Sequence, residues 1–399
     1  MSEHVVWFDS SETGAPALNN AAGSLIGVLK GCLVTGFNVK TLTSIVVSGG
    51  VATATCAGHG YSGVYGKDLL ISGATPAGLN GRKALTFVDT NTFKFAAPGV
   101  ADGAATGTII AKRDPLGWVE LFSDTGKSIF KRSDPTATSM LLYILDTNTA
   151  PASATDARVR MIEGATDINT LSGLAPTDGQ LSGGQYWNKG SNNATAKQWT
   201  LVGDSKRFFL VTQASSTVFP TAGNTGYASS VMSFGDITPL NSSDAYHCLL
   251  TGLASATSGD GSGGGNASIG GYESAAISTT ASVVLSRAYS QLGSSVLAGI
   301  AGYLGGTSSG SPGFTLVYPS PVDAGFIMSP ASLVLESAVG GMTVRGMLPG
   351  ALRFLAKKPA EHHQILEPVV SLPGRKVLCL ATHAATEARI GLDITGPWG

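Results

Sequence analysis

Charge is what this sequence has least of. Of its 399 residues only 13% are Asp, Glu, Lys or Arg, where a typical soluble domain carries about 25%. A free monomer keeps itself apart from its copies with a charged surface. A chain this poor in charge must face water with Ser, Thr, Asn and Gly, or hide much of its exterior against other subunits. The two signs also balance, with 25 basic and 26 acidic residues. No basic stripe interleaved with aromatics appears, so the electrostatic footprint of a nucleic-acid binder is missing.

Long apolar runs are lacking too. The most apolar windows, 21–36 and 283–304, are interrupted by Lys30 and by Arg287 with several polar neighbours. Neither supplies the roughly 20 apolar residues that span a bilayer, so no membrane insertion is expected. The opening residues, Met1 to Asp9, place no basic region ahead of an apolar stretch, so no signal peptide is expected and the chain reads as made in a cytoplasm. Cys32, Cys56, Cys248 and Cys379 stand far apart, with no Cys-x-x-Cys pair. A zinc site or a disulfide framework needs tighter spacing or an extracellular setting. Four reduced, buried thiols are expected, with no metal and no cofactor.

Glycine is what the sequence has in excess, 53 residues against an expectation of about 7%. Glycine between short apolar runs reads as many turns joining many strands, and the 43% hydrophobic content argues for a packed core rather than disorder. Residues 19–36 carry a helical pattern: Ala22, Leu25, Ile26, Leu29, Cys32 and Leu33 recur at helical spacing. Asn19 or Asn20 is the expected cap and Gly36 the expected stop. Gly23, Gly27 and Gly31, four residues apart, would allow close approach to another backbone. From Thr43 to Arg113 the pattern turns to β. Ser44–Val47 and Val51–Cys56 flank Gly49-Gly50, a hairpin signal, and further strands are expected at 68–72, 84–88, 92–95 and 107–110. Beyond Asp114-Pro115 strands are expected at 118–122, 128–131, 140–145, 206–211, 231–234 and 389–394. The stretch 146–200 reads as polar and flexible, and 255–271 as a loop.

Several catalytic motifs come close and fail. Gly306-Thr307-Ser308-Ser309-Gly310 has the spacing of an esterase nucleophile elbow, yet Ser311-Pro312-Gly313 cannot open the helix the elbow requires. Gly126-Lys127-Ser128 ends like a phosphate-binding loop but lacks its first glycine, and Asp124-Thr125-Gly126 reads as a hairpin turn. His362-His363 with Glu361 and Glu367 is the one metal-like cluster. Neighbouring side chains on a strand point to opposite faces, and an exposed polar turn is the commoner reading. Tyr186, Trp187 and Trp199 lie in a polar, Gly-rich stretch. Such rings stack on sugar, fill a subunit contact, or plug a local core under a loop.

A resemblance joins these readings. Gly14–Leu25, Thr35–Asn38, Ser44–Gly63, Leu79–Arg82, Leu181–Gly190, Phe234–Asp236 and the ending Ile394–Trp398 resemble a family of tailed-bacteriophage tail and virion structural proteins. The resemblance implies a virion component, and no catalytic residue carries over from it. The expected fold is mainly β (α+β), in three parts: an N-terminal segment 1–42 whose helix packs on the large domain, a small all-β module 43–113, and a β-sandwich-like domain 114–399 with a few helices. The expected function is structural and non-enzymatic, in a tail baseplate or distal appendage. The expected partners are other copies and other tail proteins. A glycan-binding tail protein using Tyr186, Trp187 and Trp199 is the alternative, and a glycan-cleaving tail enzyme comes after it.

Overall fold

In the computed structural model the described residues are 4–190, 194–213, 229–256, 281–302, 322, 325, 328–329, 332–338, 341–354, 360–367, 372–381 and 389–398. The fold is mainly β and antiparallel throughout. Gly49 and Gly50 both take positive φ, 59° and 74°, giving the two-residue turn whose twist suits a hairpin. They join Ser44–Ser48 to Val51–Thr55 with Ser48 opposite Val51. Asp124 and Lys127 likewise face each other across Thr125-Gly126, a turn rather than a phosphate cradle.

Strands between Lys40 and Arg113 pair only with one another, in a five-stranded and a four-stranded sheet. These enclose a core of their own that includes Ile45, Ile71, Phe93 and Phe95. The pairing begins at Lys40–Thr41, ahead of Thr43. The last strand is Ile110–Arg113 rather than 107–110. Gly107, at φ 106°, passes so near Gly73 that a Cβ there would lie 2.2 Å from the Gly73 carbonyl. The chain enters and leaves this stretch side by side, Lys40 opposite Ala111 and Thr41 opposite Ile110. At its exit and just beyond, Arg113 N donates to Phe37 O, Leu116 N to Cys32 O and Trp118 N to Leu33 O. The stretch 40–113 is therefore threaded into an otherwise continuous backbone path.

The helix is shorter than its pattern, Ser24–Lys30 followed by a π turn Gly31–Thr35. Gly23 is left-handed and no side chain within the segment caps the helix. Asn19 instead closes a local turn onto Ala21 N, and the cap comes from far away: Asp146 Oδ2 accepts from Leu25 N at 3.0 Å. A carboxylate there satisfies an orphan donor and complements the helix dipole. Of the three spaced glycines only Gly31 meets a close neighbour, the Pro16 ring. Leu25, Val28 and Leu29 pack in one core with Trp118, Phe130 and Leu142.

Apart from a two-stranded ribbon of Gly164–Ala165 and Leu171–Ser172, the remaining strands form three layers. A ten-stranded sheet lies between two five-stranded sheets, one built from residues 119–188 and the other from residues 328–393. Along Arg207–Gln213, Phe208 and Leu210 belong to one core while Phe209 and Val211 belong to the other. Around Arg207–Gln213 and Ser229–Asp236 the middle sheet is thus dry on both faces, and alternation disappears there, while Gly341–Thr343 is exposed. The sheet also curls back on itself. Ser229–Asp236 borders Cys248–Thr251 on one edge, and its other edge passes from Arg207–Gln213 to Gly341–Leu348, reached through Thr238–Pro239. Two expectations fail here. Among the described residues no helix follows Asp114. The stretch 146–200 holds Asp156–Ile162, buried at every position, because Arg158 reaches the Ser182 and Gly184 carbonyls and Arg160 pairs with Asp178. The 306–310 motif and most of the 255–271 loop lie outside the described residues.

Candidate functional site

The three aromatic candidates do not form a platform. Trp187 and Trp199 are fully buried. Trp187 Nε1 donates to Thr251 O and Trp199 Nε1 to Pro16 O, both at 3.0 Å, and Trp187 meets Phe208 edge to face. Each indole has its polar handle satisfied and no free face, so both are core anchors. Tyr186 is half-buried, with the Arg158 guanidinium 3.5 Å from its ring centre. The surrounding polar residues hid the fact that Gln185–Asn188 is the edge strand of an outer sheet and turns Trp187 into the core beneath it.

The histidine pair is neither exposed nor splayed. A positive φ of 64° at His363 breaks strand alternation, and the two rings pack with centroids 3.9 Å apart. His363 Nε2 lies 2.7 Å from Thr200 Oγ1, and His362 Nδ1 accepts from Ala381 N. Burial pushes both rings down, His362 to about 2 and His363 to about 4, and the neighbouring His363 further disfavours charge on His362. Among the described residues no group of three His, Cys, Asp or Glu is arranged to hold a metal ion. All four cysteines are buried and free, and burial raises the thiols of Cys248 and Cys379 to about 12.

The densest chemistry lies where 40–113 meets the body. Lys67 Nζ sits 2.5 Å from Asp9 and 3.2 Å from Glu12, with Trp7 beneath it at 4.0 Å. Arg113 Nε reaches Glu12 at 2.6 Å and its Nη2 reaches Trp7 O. Burial alone would raise the Asp9 carboxyl, but Lys67 and the hydrogen bonds outweigh it and hold the group below its ordinary value.

Beside this cluster a cleft of about 810 Å³ opens between the two parts, within the size range of ligand sites. Asp68, Asp114 and Asp134 line it, faced by Arg82, Lys112 and His4. Arg82 Nε pairs with Asp114. Burial, assisted by the neighbouring Asp68, nonetheless leaves the Asp114 carboxyl above its ordinary value. Asp134 goes the other way, because hydrogen bonds from Thr136 and Ser205 outweigh burial. The sequence offered no sign of this grouping, since its members come from distant segments.

The body hides charge deeper still. Arg345 forks onto Asp244 and also holds Glu336, all three buried. Lys189 pairs with Asp146, both without exposure, and Arg132 pairs with Asp236 at 2.5 Å. At least nineteen acidic or basic side chains among the described residues are buried. Large apolar residues stand outside instead, including Leu240 at 74% and Leu292 at 73% exposure. No helix among the described residues is long and apolar enough to cross a membrane. No family model matches this chain, and no curated protein matches it in sequence.

Proposed function

We propose that the chain is a structural subunit of a tailed-phage virion, placed in the tail baseplate or a distal appendage and held by extensive contacts with its own copies and other tail proteins. The observation that carries this reading is the inversion of charge. An exterior that began poor in charge loses at least nineteen of the chain's charged side chains to the interior, while Leu240, Leu292, Met342 and Phe87 remain exposed. Such a surface has little electrostatic repulsion to keep copies apart. Its contacts would be driven by apolar area and shape, as in large permanent interfaces. The family resemblance supplies the virion, and the surface supplies the assembly. Burial of Trp187 and Trp199 removes the aromatic platform on which the glycan-binding alternative stood. Light scattering of the recombinant chain over a concentration series tests the assembly, with mass rising with concentration as the expected result. Mass spectrometry of purified tails tests the location. A stable monomer at high concentration that is missing from purified tails would overturn the reading.

A further inference from the structure

Where the chain passes from the outer sheet to the middle sheet, a buried lysine lies beside a buried carboxamide. Asn188 ends the edge strand Gln185–Asn188, and Lys197 stands two residues before Trp199–Gly203 of the middle sheet. Both are withdrawn from water together with Asp156: Asn188 and Asp156 are 0% exposed and Lys197 3%. Lys197 Nζ lies 3.4 Å from Asn188 Oδ1, and Asn188 Nδ2 donates to Thr155 O at 3.3 Å. The carboxamide thus presents its carbonyl side to the amine. Asp156 is the cross-strand partner of Asn188, which sets the two side chains on one face of the sheet with Cβ atoms about 5 Å apart. Asp156 Oδ2 accepts from Thr155 Oγ1 at 2.9 Å, and its charge acts on Lys197. Burial outweighs that charge and brings the Lys197 ammonium down to about 8, so a neutral amine is within reach near neutral pH.

We propose that Lys197 and Asn188 join in an intramolecular isopeptide bond, formed by the folded chain itself with Asp156 as the proton carrier. The neutral Nζ attacks Asn188 Cγ from a separation at which held reactants are poised to react. The Nζ–Cγ bond forms, the Cγ–Nδ2 bond breaks, and Nδ2 leaves as ammonia. Asp156 takes the proton that Nζ releases and returns it to Nδ2. Nothing is oxidised or reduced, and no co-reactant is needed. A second lysine shows what the reaction requires. Lys189 Nζ is closer still to Asn148 Oδ1, at 2.6 Å, but it also donates to Ala21 O and pairs with Asp146. Its three protons are all engaged, so it turns no lone pair toward Asn148. The Lys197–Asn188 bond ties the edge of the outer sheet to the middle sheet, so a cut between them leaves the chain in one piece. This chemistry belongs to the isolated chain and does not depend on the virion reading.

The test is the intact mass of the full recombinant chain, followed by tryptic mapping. The folded chain should be lighter than its sequence by one ammonia, about 17 Da. After trypsin cuts behind Lys189, the two flanking peptides should stay joined through Asn188 and Lys197. Lys197→Arg, which keeps the charge but removes the amine, should show full mass and separate peptides. Asp156→Asn should slow the mass loss about a hundredfold or more. The wild-type result decides alone if a variant fails to fold. A wild-type chain that keeps its full mass after long incubation at about pH 9, where the amine is neutral, overturns the proposal. Loss of ammonia with separate flanking peptides overturns it too, since that marks a cyclic imide at an asparagine. So does a cross-link through Lys189, or an unchanged rate in a folded Asp156→Asn.

Discussion

In the inserted stretch 40–113 the five-stranded sheet has one wet face. Val46, Thr53 and Lys94 lie across from one another on the outside, and Ile45, Ala54 and Phe93 do so on the inside. In the body, Arg207–Gln213 and Ser229–Asp236 are buried at every position, and Arg345, Lys189 and Asp146 lie inside with them. One part separates polar from apolar by face. The other admits charge to its interior and satisfies it there. The difference predicts that equivalent substitutions should have very different consequences in the two parts.

The largest contrast should come from cations. Arg345→Met strips the partner from Asp244 and Glu336, leaving two buried carboxylates uncompensated, and should cost about 3–5 kcal/mol. Lys94→Met, on the wet face, should change stability by no more than about 0.5 kcal/mol. Urea unfolding of both variants measures this. Similar losses would mean that the buried ions are not what distinguishes the body.

Glycines give a finer contrast. Gly36 and Gly50 both have positive φ, 70° and 74°. A Cβ on Gly50 meets open space, whereas one on Gly36 would lie 2.3 Å from the Arg113 carbonyl, at the point where the inserted stretch rejoins the body. Gly50→Ala should cost about 1 kcal/mol for the left-handed backbone alone. Gly36→Ala should cost more, about 2–3 kcal/mol, because the clash is with backbone that cannot rotate away. Equal costs would show that the junction yields easily.

What the sequence made legible follows the same division. The hairpin at Gly49-Gly50 and the turn at Thr125-Gly126 are local, and local chemistry sufficed. Most strands of 40–113 alternate because one face is wet, so period two revealed them. In the body, alternation disappears where both faces are dry, and Asp156–Ile162, with its Asp and two Arg, read as flexible polar chain. The helix was legible in Leu25, Ile26 and Leu29, but not its start, since the Asp146 cap lies 121 residues away. The candidate site was illegible for the same reason. Asp68, Arg82, Asp114, Asp134 and His4 share a cleft only because the backbone makes an excursion at Lys40 and returns at Arg113. The aromatic residues that did stand out, Trp187 and Trp199, stood out for their size, and size is what placed them in the core.

The histidine pair offers a pH test of the junction. Both rings titrate below the ordinary 6.5, His363 near 4 and His362 near 2, so the folded chain keeps them neutral while the unfolded chain takes up protons first. Stability therefore falls as pH drops below about 6.5 and keeps falling until the folded rings titrate. The groups around them are Asp9, Lys67, Thr200, Trp7 and Arg389. Melting temperature should decline between about pH 7 and pH 5, above the range where Asp9 protonates. His363→Gln should flatten that decline. An unchanged slope would place its origin elsewhere.

The smallest effect for its size should come from the largest deletion. Arg113 N already donates to Phe37 O at 2.9 Å, and Leu116 and Trp118 bond back to Cys32 and Leu33. Replacing residues 39–112 by two glycines would therefore ask the backbone only to turn where it is already closed. The core of 40–113 shares no member with the two large cores of the body, so no large apolar cavity is left behind. Asp9 and Glu12 lose Lys67, yet the same deletion returns them to water, where an unpaired carboxylate is cheap. Arg113 stays, with Glu12 still in reach. The shortened chain should unfold in one cooperative step within about 2 kcal/mol of the intact body, as measured by urea titration followed through tryptophan fluorescence. A molten or aggregated product would mean that the inserted stretch holds the body's edge strand Val6–Asp9 in place, and that the two parts fold as one.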